Sequence, residues 1–229
     1  MKKLTNTITS TETALGLGYI ALQVFILPFV LVQGNLLLGN PFSAAQLNFM
    51  LFCVDFLCVT VIFHRFLLQG AKRALATPFT CLRYAFLGFL LHFLGSFLIN
   101  TVIMSVYPDF SNVNDATISG LTQQNYQLMS LGTVLLVPIT EEVLYRGVVF
   151  GKLHACNPFV AYVVSTLVFA ALHVVGYIGY YKPLHLLLCF LQYLPAGLCL
   201  AWAYTKADTI FAPILIHAAV NAIAIYGMR

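Results

Sequence analysis

Apolar runs long enough to cross a bilayer recur along this chain from Ala14 to Tyr226, separated only by brief polar breaks. A hydrocarbon core needs about 20 apolar residues per helical crossing, and inside it every backbone N–H and C=O must be paired within the protein, which leaves helices or closed barrels. The runs are too long for barrel strands, and the composition agrees with helices in lipid. Of 229 residues, 61% are hydrophobic and 8% charged, too few charges to cover a water-soluble surface. The expected fold is all-α, a polytopic transmembrane bundle forming one integral membrane domain over residues 1–229.

Seven spans are expected, over 14–38, 47–66, 82–106, 128–150, 159–179, 184–204 and 211–226. Breaks fall where turn chemistry places them, at Asn40-Pro41, Tyr107-Pro108-Asp109, Asn157-Pro158 and Lys182-Pro183. Three spans and a long polar loop make up 1–127, and the remaining four fill 128–229. The first run is too long for a secretory signal and reads as an uncleaved signal anchor. The net charge of +4 forms no stripe suited to nucleic acid. An N-terminus in the cytoplasm puts Lys2, Lys3, Arg65, Lys72, Arg73, Arg83, Arg146, Lys152 and Lys206 on one side. Only Lys182 and Arg229 then fall outside, with the 107–127 loop, which carries Asp109 and Asp115 but no base. Trp202 and Tyr204 suit an interfacial aromatic belt. The six cysteines form no CxxC pair and read as packing residues.

Against this background the buried ionisable residues need a reason, because a charge at the centre of a membrane helix costs about 2.5–3.5 kcal/mol on insertion scales. In the fourth span Glu141 and Glu142 are adjacent, with Arg146 one turn beyond the second. Glu142 and Arg146 share a face and can pair; Glu141, rotated by about 100°, has no partner in its own helix. Phe169 and His173 repeat the four-residue spacing on the fifth span, and His217 and Asn221 on the seventh. Counting about 1.5 Å per residue from the cytoplasmic ends puts Glu141 about 16 Å deep, His217 about 14 Å and His173 about 22 Å, so a longer fifth helix or a tilt is needed to level His173.

Such a set can activate water for attack on a carbonyl without a Ser or Cys nucleophile. Glu141 would take the proton, His173 would orient the water or share that proton, and His217 and Asn221 would donate to the oxyanion. Taken singly, an interhelical His or Asn is ordinary packing; the combination is what points to function.

The ordered set Glu141-Glu142-x-x-x-Arg146, Phe169-x-x-x-His173 and His217-x-x-x-Asn221, with the approach from Thr209 to His217, resembles the CAAX-protease and bacteriocin-processing family of intramembrane glutamic endopeptidases. It covers about 128–226. The resemblance implies that Glu141 and His173 activate water, His217 and Asn221 form the oxyanion hole, and Glu142, Arg146 and Phe169 support the site. It also implies a peptide or protein substrate, membrane-anchored or prenylated in some members, at a multi-pass protein of the cell membrane. No cofactor is expected. A site near the cytoplasmic side is expected from the orientation.

Three other readings use the same residues. Glu141, His173 and His217 could hold zinc in a membrane metalloprotease, although no HExxH is present. The chain could be a non-catalytic membrane partner, an immunity protein or sensor-kinase regulator. Asp55 and His92, also within spans, could serve a transporter's proton relay, or simply support the bundle.

Overall fold

A computed structural model describes residues 4–228. The topology signals Lys2, Lys3 and Arg229 lie outside the described residues. Helices account for every named element among the described residues, and a single isolated bridge joins Ile178 and Tyr181. We number them in chain order. Helix α1 is Ser10–Leu37, α2 is Ala44–Ile62, α3 is His64–Ala76, α4 is Pro78–Val106 and α5 is Val113–Gln124. Helix α6 is Tyr126–Cys156, α7 is Pro158–Leu172, α8 is Pro183–Ala207 and α9 is Phe211–Gly227.

Six segments are long and apolar enough to cross a membrane: α1, α2, α4, α6, α8, and α7 taken on to Tyr177. The seventh expected span is present as α9, but at 17 residues it is shorter than a full crossing. The chain is a multi-pass integral membrane protein, and its outer face is made for lipid: Phe25, Phe79 and Phe97 are 64%, 79% and 67% exposed. Their polar opposites lie inside, where Glu142 and Arg146 are fully buried.

Two segments expected as connections are helices. Residues 64–76 form α3, whose apolar residues lie on one side and whose polar residues, Arg65, Lys72 and Arg73 among them, lie on the other, the pattern of a helix lying at an interface. The polar 107–127 stretch contains α5, capped by the Asn112 side chain on the N–H groups of Asn114 and Asp115. Asn125 and Asn157 cap α6 and α7 in the same way, on Leu128 and Val160.

Close approach between helices is set by small residues. A Cβ added to Gly197 of α8 would meet Thr166 of α7 at 2.8 Å, and one added to Gly88 of α4 would meet Ile216 of α9 at 2.6 Å.

The basic end of the bundle is tied together by polar contacts. Asp208, in the α8–α9 link, accepts from the Thr5 backbone and hydroxyl, and its carbonyl accepts from Arg73 Nε. Asn6 donates to the Gly147 carbonyl of α6. Two expectations change here. Arg146 is no surface charge, because it is fully buried beside Glu142. Tyr204 is no interfacial residue either: it is fully buried, with its ring 6.2 Å from that of Phe150. Trp202 is half-buried, edge-on to Tyr84. All six cysteines are free.

Candidate active site

Helix α6 carries the two glutamates on an ordinary α-helical segment, Val137–Glu142, flanked by π-helical turns at Gly132–Leu136 and Val143–Phe150. Such widened turns recur at functional sites because they leave backbone carbonyls without a helical donor. The first turn does so at Thr133. The Val137 N–H bonds to the Gly132 carbonyl, and the next donor along would be residue 138, a proline without an N–H. Asn221 of α9 fills the gap, its Nδ2 donating to the Thr133 carbonyl at 2.8 Å. That bond docks α9 against α6 one turn away from His217.

Glu142 is the buried anchor. Its Oε1 accepts from Arg146 Nη1 at 3.0 Å and lies 2.9 Å from His217 Nδ1. Arg146 also lies over the Phe169 ring, 4.3 Å from its centroid, so the cation is met by a carboxylate on one side and a π face on the other. The pairing of Glu142 with Arg146 follows the expected four-residue spacing.

Glu141 faces the other way. Its Oε2 is buried without a hydrogen-bond partner, 3.9 Å from His173 Nε2 and 4.0 Å from His217 Nε2. His173 reaches Glu141 from a helix that is shorter, not longer, than expected. Instead of running to Gly179, α7 ends at Leu172, and His173 caps it before a short 3-10 turn at Val175–Tyr177.

The hydrogen bonds fix both imidazole tautomers. His173 Nδ1 lies 2.7 Å from the Phe169 carbonyl, which can only accept, so Nδ1 carries the proton. His217 Nδ1 faces the Glu142 carboxylate oxygen with the same consequence. In their neutral forms both residues therefore turn a bare Nε2 toward Glu141. Three acceptor atoms converge at distances too long for direct hydrogen bonds, the spacing in which a bridging water supplies the missing protons.

His173 is clamped between rings. Phe169 lies 4.5 Å from it and Tyr193 of α8 lies 4.3 Å away, centroid to centroid. Tyr193 carries no motif spacing and was not legible as a site residue; its hydroxyl reaches Asn112 and Asp115 at 3.3 Å, coupling His173 to α5. Among the described residues, no three His, Cys, Asp or Glu side chains converge as metal ligands.

A cavity of about 510 Å³ contains Glu141, His173, His217 and Asn221 on its wall, within the size range of ligand pockets. Tyr145 and Leu200 lie at its inner part, and it extends to Asn100 near the C-terminal end of α4, to Asn112 and Asp115 of the α5 region and to Met228. That is the end of the bundle opposite the basic helix α3. Asp55 and His92 also line it. Asp55 accepts from the Tyr19 hydroxyl at 2.7 Å, an interhelical pair joining α1 to α2.

Residues 123–223 match the family described as Type II CAAX prenyl endopeptidase Rce1-like. That segment, less than half of the chain, is similar to the Rce1-like family. Every glutamate, histidine and asparagine of the cluster falls within the matched segment. The chain is also similar to the "UPF0177 protein YxdF" of Lactococcus lactis subsp. lactis (strain IL1403), 31% identical over 87 residues, covering 38% of this chain and 42% of that protein. The "Putative membrane peptidase YdiL" of Bacillus subtilis (strain 168) is 29% identical over 103 residues, covering 44% of this chain and 38% of that protein. The chain thus matches about two fifths of the length of these curated relatives. No solved structure matches it. Asp55, His92 and Asp115, which also line the cavity, lie outside the matched segment.

Proposed function

We propose that the chain is an intramembrane endopeptidase that hydrolyses a peptide bond with water activated at Glu141. The observation that carries this reading is the unpartnered Glu141 Oε2, facing Nε2 of His173 and of His217 at 3.9 and 4.0 Å. The Rce1-like match and the name of the B. subtilis relative support the same class of activity.

In the proposed reaction a water between these atoms gives a proton to Glu141 while its oxygen attacks the substrate carbonyl carbon. His173, held by Phe169 and Tyr193, accepts the water's second hydrogen bond and so orients it. The carbonyl oxygen becomes the oxyanion. Asn221 meets it with the Nδ2 hydrogen not used by Thr133. His217 meets it from Nε2 when protonated, with Glu142 behind Nδ1 stabilising the imidazolium as a buried carboxylate does in carboxylate–histidine pairs. Collapse of the intermediate breaks the C–N bond, and Glu141 returns its proton to the leaving amine.

Metal-free hydrolysis is the favoured form, with zinc on Glu141, His173 and His217 as the competing one. With the basic end in the cytoplasm, as the charge distribution favours, the cavity opens toward the opposite face. The approach proposed is from that face, where the sequence pattern alone pointed to the cytoplasmic one.

The test is cleavage of a peptide library by the full-length protein in liposomes, with and without a strong chelator. Cleavage that survives chelation is expected. Cleavage abolished by chelation and restored by zinc would transfer the reading to a metalloprotease. A folded protein that cleaves no peptide would instead leave the non-catalytic partner.

A further inference from the structure

The cavity is polar far beyond the reacting centre, and its charges have one sign. Asp55, Asp115 and Glu141 are on its wall, and no Lys or Arg is among its described lining residues. Asp55 is bonded to the Tyr19 hydroxyl and Asp115 to the Tyr193 hydroxyl, neutral donors that leave each negative charge uncompensated. The low-dielectric walls around them extend the reach of that charge.

A second observation concerns groups that lack partners. Asn48 Oδ1, His92 Nδ1, Thr133 Oγ1 and Glu141 Oε2 are buried atoms without a hydrogen bond in the protein, and all four residues line this cavity. His217, 7% exposed, adds its Nε2, which has no hydrogen bond of its own. A hydrocarbon occupant would leave these groups dry and unpaired; an extended peptide, with N–H and C=O alternating along its length, would pair with them.

We infer that the cavity takes a cationic, polar peptide segment carrying Lys or Arg beside the scissile bond, and that no lipid chain occupies it. The inference rests on the endopeptidase reading for the bond cleaved, but its recognition element is independent of turnover. Asp115, at the outer end, attracts the basic side chain; Asp55 holds the segment farther in, and the unpartnered polar atoms take its backbone.

Binding to the full-length Glu141→Gln protein in nanodiscs separates recognition from catalysis. The probes are three fluorescent ten-residue peptides: a polar one with two lysines, its twin with two glutamates, and an uncharged one ending in farnesylated cysteine, each corrected with empty nanodiscs. The lysine peptide is expected to bind at least tenfold tighter than either of the others, and more weakly as salt rises. Adding Asp115→Asn is expected to weaken it about fivefold, and Asp55→Asn, which keeps an acceptor for Tyr19, is a second variant should the first misfold. Equal or tighter binding of the glutamate or farnesylated peptide would overturn the inference. So would an affinity indifferent to both substitutions. Cleavage by the wild-type protein is read separately: selective binding without cleavage counts against the endopeptidase reading, and cleavage without cationic preference counts against this inference alone.

Discussion

His217 Nδ1 lies 2.9 Å from Glu142 Oε1, the same oxygen that accepts from Arg146 at 3.0 Å. One carboxylate oxygen thus sets the tautomer of a histidine and neutralises a fully buried guanidinium. Removing it strands a charge in a low-dielectric interior, whereas removing both charges does not. Glu142→Leu is expected to cost about 3–5 kcal/mol, and the double variant Glu142→Leu/Arg146→Leu to recover more than half. Thermal unfolding in detergent measures both. A double variant no more stable than the single would show that the pair is not the source of the loss.

Tyr193 acts on His173 through its ring, 4.3 Å away, and on α5 through its hydroxyl. Tyr193→Leu removes the clamp and is expected to lower kcat about tenfold with little change in KM, since misorientation of a catalytic group affects the transition state. Tyr193→Phe keeps the ring and is expected to stay within about threefold of wild type. Steady-state kinetics on a cleavable peptide distinguishes this from a merely structural role, which would move both variants through stability alone.

Asn221 satisfies the Thr133 carbonyl that the π-helical turn and Pro138 leave without a donor. Asn221→Ala is expected to destabilise the protein by about 1–3 kcal/mol, the cost of a buried unpaired acceptor. Pro138→Ala restores an N–H at the position that can reach Thr133 in a π-type bond, so the Asn221→Ala penalty is expected to be smaller in that background. A double-mutant cycle on unfolding temperature reads the coupling; strict additivity would contradict the assignment.

Much of this fold is visible in the sequence because a bilayer imposes one length and one polarity on each crossing. The limits of α1, α2, α4, α8 and α9 lie within a few residues of the expected runs, and α6 continues past its expected end to Cys156. The short helices α3 and α5 were hidden, because their stability comes from caps and an interface and not from an apolar run of span length. Glu141, Glu142, Arg146, Phe169, His173, His217 and Asn221 were conspicuous as polar or regularly spaced groups in apolar helices, and the structure brings them to one place. Tyr193 was not conspicuous, being one of 12 tyrosines with its role set by a neighbouring helix. Nor could spacing reveal that Asn221 answers a proline on another helix, or that the cavity extends away from the basic end. Arg146 was read two ways, as a topology charge and as the partner of Glu142, and burial with that carboxylate leaves only the second.

The central claim, that Glu141 is the base for the attacking water, is tested most directly by comparing kcat/KM of wild type and Glu141→Gln on one cleaved peptide, in liposomes, with equal unfolding temperatures established first. Loss of the carboxylate is expected to reduce kcat/KM by about 10²–10⁴-fold. A Glu141→Gln protein that cleaves within a few-fold of wild type would contradict it.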